Sequence, residues 1–234
     1  MARLETIVEG AYVHVLNRGV KKTSIYRQKS DLWRLLFNLF YLNSKKIPDN
    51  WNRVLDREDQ LRNFVWPKEW GKKVPLVSVL AYTIMPNHFH LILKEINKGG
   101  ISQFMHKFSM GYSKFVNTKY KETGSLFQGP FKSVVVKSDN QLRYLATYVM
   151  VKNPFELYPK GGMEGAMKNF DEAWRWAIDY PFCSLVDYAG GRDYSVVLDK
   201  DLLGEIFVKP KVFKDFARDC ILGRKLGVGE QDWE

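Results

Sequence analysis

Apolar and polar positions alternate with a period of two along GAYVHVLNRG (10–19), which predicts a first β-strand from Ala11 to Leu16 running into a glycine-ended loop. The period then changes. Leu32, Leu35, Leu36, Leu39 and Phe40 recur at helical spacing, which predicts an amphipathic helix from Asp31 to about Asn43 with Ser30 as its N-cap. PLVSVLAYTIM (75–85) is a β-rich run; Pro86-Asn87 turns it into HFHLIL (88–93), a buried strand. Gly99 and Gly100 break the chain before a long amphipathic helix, Ser102 to about Lys121, ended by Gly124. A further strand falls at Phe131 to Val136. A helix capped by Ser138 or Asp139 follows, through Leu142, Leu145, Tyr148 and Val149, and stops near Asn153-Pro154. The order strand, helix, strand, strand, helix, strand is the ferredoxin-like βαββαβ pattern of an α+β domain, with one helix added.

Two stretches stand outside this pattern. Residues 44–73 are charged, carry Trp51, Trp66 and Trp70, and contain the breakers Pro48 and Pro67; they read as an insertion at the edge of the core, with a short helix from Arg53 to Phe64. The chain after Leu157 reads as a mostly helical extension, with helices over Glu164 to Ile178 and Lys211 to Leu222. The expected organisation is a domain over 1–157, interrupted at 44–73, and an extension over 158–234.

Composition sharpens the class. At 234 residues, 45% hydrophobic and 15% aromatic, the chain can bury a full core. No apolar run approaches the ~18 residues of a membrane span, and MARLETIVEG carries charges where a signal peptide needs an apolar stretch. Cys183 and Cys220 are too few for a disulfide framework or a cysteine metal site, so a cytoplasmic location is expected and no membrane partner. The net charge is +10, and its distribution matters more than its size. Residues 98–160 hold ten Lys/Arg against three Asp/Glu, whereas 161–205 hold four against nine. The positive charge follows the histidine strand, where a phosphate backbone would need it.

The candidate chemistry lies on that strand. His88 and His90 are two apart, so in a strand they project side by side with Phe89 on the other face. Adjacent imidazoles make half of a metal site, and a third ligand has to come from elsewhere in the fold. On the helix after the last strand, Tyr144 and Tyr148 are four apart and share a face; Lys152 and Asn153 follow one turn on. Asn offers a carbonyl oxygen to a hard cation, and Lys a charge to a phosphate. The helix from Ser102 to Lys121 and the loop GSLFQGPFKS (124–133) interleave basic and aromatic residues, a composition suited to single-stranded nucleic acid.

The segments NRG (17–19), MPNHFHLIL (85–93), GYSKFVNTKYKETGSLFQGPFKS (111–133) and YVMVKNPFEL (148–157) resemble, in order, successive blocks of the single-tyrosine HUH transposases, and more closely the REP-associated tyrosine transposases. The resemblance implies a divalent ion, Mg²⁺ or Mn²⁺, held by His88, His90 and a polar side chain of the tyrosine helix. It implies Tyr148 as nucleophile, a 5′-phosphotyrosine intermediate, and single-stranded or hairpin DNA as partner, gripped near Asn17, Arg18, Lys114, Lys132, Arg143 and Lys152. A homodimer, with sites formed within or between chains, is compatible with it.

One departure bears on the ligand set. In many relatives the Asn of Asn-Pro lies four residues after the tyrosine; Asn153 lies five after Tyr148. Either the helix end is wound differently, or Lys152 takes the ligand position. The same spacing supports the alternative of a ferredoxin-like nucleic-acid-binding module with impaired catalysis. A hydrolase using water as its nucleophile is a third reading.

Overall fold

A computed structural model describes residues 6–49, 51, 64–190 and 196–223. Four antiparallel strands form one sheet: β1 (Tyr12–Arg18), β2 (Val77–Ile84), β3 (His88–Glu95) and β4 (Lys132–Val135), in the order β2-β3-β1-β4. The crossovers are α1 (Lys29–Tyr41) between β1 and β2, and α2 (Gly100–Tyr120) between β3 and β4. This is the ferredoxin-like βαββαβ arrangement the periodicity predicts. The short helix expected from Arg53 to Phe64 falls almost wholly outside the described residues.

The sheet's two faces separate by strand parity. Val13 and Val15 of β1, Phe89, Leu91 and Leu93 of β3, and Val79, Tyr82 and Ile84 of β2 pack against Leu35 and Leu39 of α1 and Phe104, Phe108 and Tyr112 of α2. The opposite face carries His14 and Leu16 of β1 beside His88, His90 and Ile92 of β3. A register shift between Val79 and Ala81 lets both Leu80 and Ala81 turn to this second face.

The second face is covered by α3 (Asp139–Thr147), a π-helical turn (Tyr148–Lys152) and α4 (Asn153–Glu156), then α5 (Gly162–Lys168), α6 (Phe170–Asp179), α7 (Leu185–Tyr188), α8 (Asp201–Ile206) and α9 (Pro210–Ile221). Two sequence expectations change here. The tyrosine helix does not stop at Asn153-Pro154: Pro154 stands in the first turn of α4, where its missing N–H and fixed φ are tolerated. The helix expected over Glu164 to Ile178 is two helices, because Asn169 adopts non-helical backbone (φ −129°, ψ 54°) between them.

The extension also seals a sheet edge. β2 is an outer strand, and an outer strand leaves backbone groups unpaired. The amide of Ile84 donates to Phe182 O (2.9 Å), Ser184 N to Tyr82 O (3.0 Å) and Asp199 N to Val79 O (2.9 Å). Tyr188 Oη donates to Leu80 O (2.8 Å) and Tyr180 Oη to Ile84 O (2.7 Å).

Helix α1 is anchored by a buried carboxylate rather than by Ser30. Asp31 Oδ2 accepts from the amides of Arg27 (2.9 Å) and Gln28 (3.0 Å) and from Tyr120 Oη (2.6 Å), and Oδ1 accepts from Lys119 Nζ (2.5 Å). Burial raises the Asp31 pKa, but the Lys119 ammonium, Tyr120 and the two amides outweigh it and hold the carboxyl below its ordinary value. This one group ties the start of α1 to the end of α2. Glu95 does the same for α2, accepting from the amides of Gly99 (2.5 Å) and Ile101 (2.7 Å). Gly100 is required there, since a Cβ would stand 2.3 Å from Leu76 O.

Asp31→Ala removes the carboxylate that the amides of Arg27 and Gln28, Tyr120 and Lys119 all donate to. We expect it to lower unfolding free energy by about 2–3 kcal/mol, read by urea denaturation; a loss under ~0.5 kcal/mol would show that the α1–α2 tie is not needed.

Candidate active site

The histidine strand forms as the sequence predicts, with one addition. His88 and His90 stand edge to face on the second sheet face, ring centroids 4.8 Å apart. His14, two positions before Leu16, which sits opposite His90, lies on that same face. His14 Nε2 is 2.9 Å from His90 Nδ1, and the rings are inclined by only 9° with centroids 5.1 Å apart. The two imidazoles therefore meet end to end, nearly in one plane. Nothing in the residue spacing singled out His14: alternation puts it at a polar position of β1, and it is buried because helices cover that face too.

Each β3 histidine has its Nδ1 engaged. Asn87 Nδ2 donates to Lys22 O (3.3 Å), which turns Asn87 Oδ1 toward His88 Nδ1, 2.6 Å away. An amide oxygen only accepts, so His88 carries a proton on Nδ1. Burial lowers the His14 pKa to about 3. Burial, then the nearby His14, His88 and Arg18, lower that of His90 well below its ordinary value. Both rings are neutral near pH 7.

Tyr148 stands over this group. Its ring is edge-on to His90 (centroids 5.3 Å, 90°) and to His14 (6.1 Å, 82°), and Lys152 Nζ lies 5.3 Å from its centroid. Tyr144 points elsewhere, its ring 5.4 Å from Phe216 of α9, and Tyr112 is buried, donating to Ile25 O.

The winding of the helix accounts for the five-residue spacing. In an α-helix the residue five positions on is rotated by about 140°, against about 40° for the residue four positions on. Here the amide of Asn153 donates to Tyr148 O, an i→i+5 bond, so the turn is π-helical and brings Asn153 back over Tyr148. The widened turn is tied to the sheet. Thr83, opposite His90, donates its hydroxyl to Val149 O, and buried Cys183 donates Sγ–H to Met150 O (3.4 Å). Burial pushes the Cys183 thiol up to about 12, which keeps that proton in place.

Among the described residues, no group of three or more His, Cys, Asp and Glu side chains is arranged to hold a metal ion. The donors present are of a different mix: His90 Nε2 and Asn153 Nδ2 are both buried without a hydrogen-bond partner. Because an amide can be turned end for end, Asn153 offers nitrogen or oxygen there. Two imidazoles and an amide are a chemically fitting set for a divalent ion.

The residues expected at the DNA divide between the faces. Arg18 lies opposite His88, and exposed Lys132 pairs with Leu16 on the histidine face. Exposed Arg143 and Lys152 belong to the tyrosine helix and its π turn. Asn17 turns to the other face, buried, with Nδ2 donating to Gly129 O (3.1 Å); it fastens the 124–133 loop. Lys114 is also on the far side, in an open basic cavity with Lys45, Lys46 and Lys107. Gly19 completes the NRG turn: a Cβ would meet Thr23 O at 2.3 Å.

Residues 49–152, which span the paired histidines and the helical tyrosine, match the family described as Transposase IS200 like. The resemblance seen in the sequence is thus borne out over that span, which excludes β1 and Asn153. No curated protein matches the chain. A solved structure of a REP-associated tyrosine transposase bound to a REP hairpin is similar, at 11% identity and TM-score 0.45, covering 86% of this chain and 92% of that one. Among the described residues, no helix is long and apolar enough to cross a membrane.

The neutral histidines make the metal-free fold acid-sensitive. An unfolded histidine titrates near pH ~6.5, whereas these stay neutral below it. The stability they permit is whole above that pH and is lost as pH falls below it, for His14 by about 1.4 kcal/mol per pH unit. Urea denaturation at pH 7.5 and pH 5 is expected to differ by about 2 kcal/mol from His14, with His90 acting in the same direction. A flat profile would mean that the rings accept protons within the fold.

Proposed function

We propose that the chain nicks single-stranded DNA and transfers strands through a covalent tyrosine intermediate, as a transposase. The observation that carries this is the placement of Tyr148 edge-on to His90, itself beside His88. In this reading Tyr148 Oη attacks the scissile phosphorus and loses its proton, the bond to the 3′ oxygen breaks, and that oxygen takes up a proton. The products are a 5′-phosphotyrosine and a free 3′-hydroxyl. Because the phosphotyrosine keeps the energy of the phosphodiester, a second 3′-hydroxyl can reverse the step and join strands.

His88, His90 and Asn153 would hold Mg²⁺ or Mn²⁺, and a bound ion would supply positive charge to the scissile phosphate. Arg18, Lys132, Arg143 and Lys152 would hold the strand from the histidine face, while Asn17 shapes the loop and Lys114 contacts DNA from the far side. Residues 1–157 would act as the catalytic domain and 158–234 as its cover, in the cytoplasm. A transposase acting on DNA fits the family match at 49–152; the π turn weighs against a module without catalysis, since it brings Asn153 back over Tyr148 despite the five-residue spacing.

Incubation with a hairpin-flanked single strand and Mn²⁺ is expected to give a protein–DNA adduct that survives denaturing electrophoresis. Tyr148→Phe should give none. His88→Ala with His90→Ala should lower its yield at least about 100-fold. An adduct from Tyr148→Phe would remove Tyr148 as nucleophile, and cleavage without linkage would favour hydrolysis.

A further inference from the structure

We propose that His14 is a positioning residue for the metal-binding half of the site: its Nε2 accepts a hydrogen bond from the protonated Nδ1 of His90 and so turns the Nε2 lone pair of His90 outward as a ligand. The inference rests on the metal reading given above. A neutral imidazole carries one proton, on one nitrogen. For His90 to ligate through Nε2, the proton must reside on Nδ1 and needs an acceptor there. His14 Nε2 occupies that place at 2.9 Å, end to end and within 9° of coplanar.

His88 shows the same arrangement with a different acceptor. Its Nδ1 meets Asn87 Oδ1 at 2.6 Å, and Asn87 is held in that orientation through Lys22 O. Two ligand candidates thus each have an orienting partner on Nδ1, one from the turn before β3 and one from β1. The partner on β1 is fully buried, on a sheet face that the helical layer covers. Register accounts for the contact: His14 is diagonal to His90 across the β1–β3 ladder, and a diagonal neighbour is within reach of a ring. Packing alone would be served by leucine, as at position 16 on the same face. The hydrogen bond is what a histidine adds.

Two measurements test it. In metal-free wild-type protein, long-range ¹H–¹⁵N correlation spectra are expected to show His90 with a protonated Nδ1 and a lone-pair Nε2; the reverse tautomer would overturn the proposal. Mn²⁺ affinity, followed by calorimetry, is expected to fall about 10–100-fold in His14→Leu. In His14→Gln, whose carbonyl can accept the same bond, it should stay within about threefold of wild type. Equal affinity in wild type and His14→Leu would overturn the role of His14 while leaving the metal reading intact. Wild-type protein with no Mn²⁺ affinity would overturn that reading, and the proposal with it. If His14→Leu does not fold, the wild-type tautomer and His14→Gln decide the matter.

Discussion

β3 is buried on both faces, and the rest of the molecule is arranged around what that demands. A strand with two covered faces needs a helical layer on each, and any polar group it carries must find a partner inside. Phe89, Leu91 and Leu93 meet the first demand against α1 and α2. His88 and His90 bring the second. Burying an imidazole without a hydrogen bond costs about 2 kcal/mol or more, so the strand's neighbours supply partners: Asn87 from the turn and His14 from the adjacent strand. The neutral charge state of His90 follows from the same burial. Packing the histidines in the interior thus leaves each with its Nδ1 already engaged by a neighbour.

The tyrosine arrives by a second constraint. A helix crossing this face must present Tyr148 and Asn153 together, and an α-helical path would turn them apart. The π turn resolves the conflict, but it displaces carbonyls from the regular ladder, and those groups need donors. Thr83 and Cys183 provide them at Val149 and Met150. Thr83 is also the β2 neighbour of His90. The same strand position therefore borders the imidazole and holds the widened turn, which couples the helix to the histidines through the sheet.

Much of this was legible in the sequence, for reasons that differ by element. Alternation in 11–16, the apolar run in 88–93 and the stripe Leu32-Leu35-Leu36-Leu39 report burial directly, so strand and helix identity and the ferredoxin-like order could be read. The pairing of His88 and His90 on one sheet face could be read because a spacing of two in a strand fixes it, whereas Tyr148 was singled out from Tyr144 by the family resemblance. His14 could not: its partner is 76 residues away, and only the β1–β3 register brings them together. The π turn was legible only as an anomaly of one residue, since hydrogen-bond winding depends on donors from β2 and from residue 183. Asn17 and Lys114 were expected beside the DNA from their neighbours in the chain. Strand parity turns Asn17, and the packing of α2 turns Lys114, to the other side of the sheet.

The extension after Leu157 adds an argument about assembly of the sheet. An open edge at β2 would invite another strand, and a strand added there would press on Thr83 and, through it, on the π turn. Residues 180–199 take up those backbone groups with amides and tyrosine hydroxyls of their own. Further along, Lys94 and Tyr12 both reach Asp201, at 2.5 and 2.7 Å, and pin α8 to β1 and β3. The acidic balance of this extension is then intelligible: part of its carboxylate content is engaged against the sheet, as at Asp199 on Ser78 and Asp201 on Lys94. The basic groups of the tyrosine helix are left to face outward. Part of the asymmetry of charge along the chain therefore follows from closing the sheet on one side, which engages carboxylates of the extension against β1, β2 and β3.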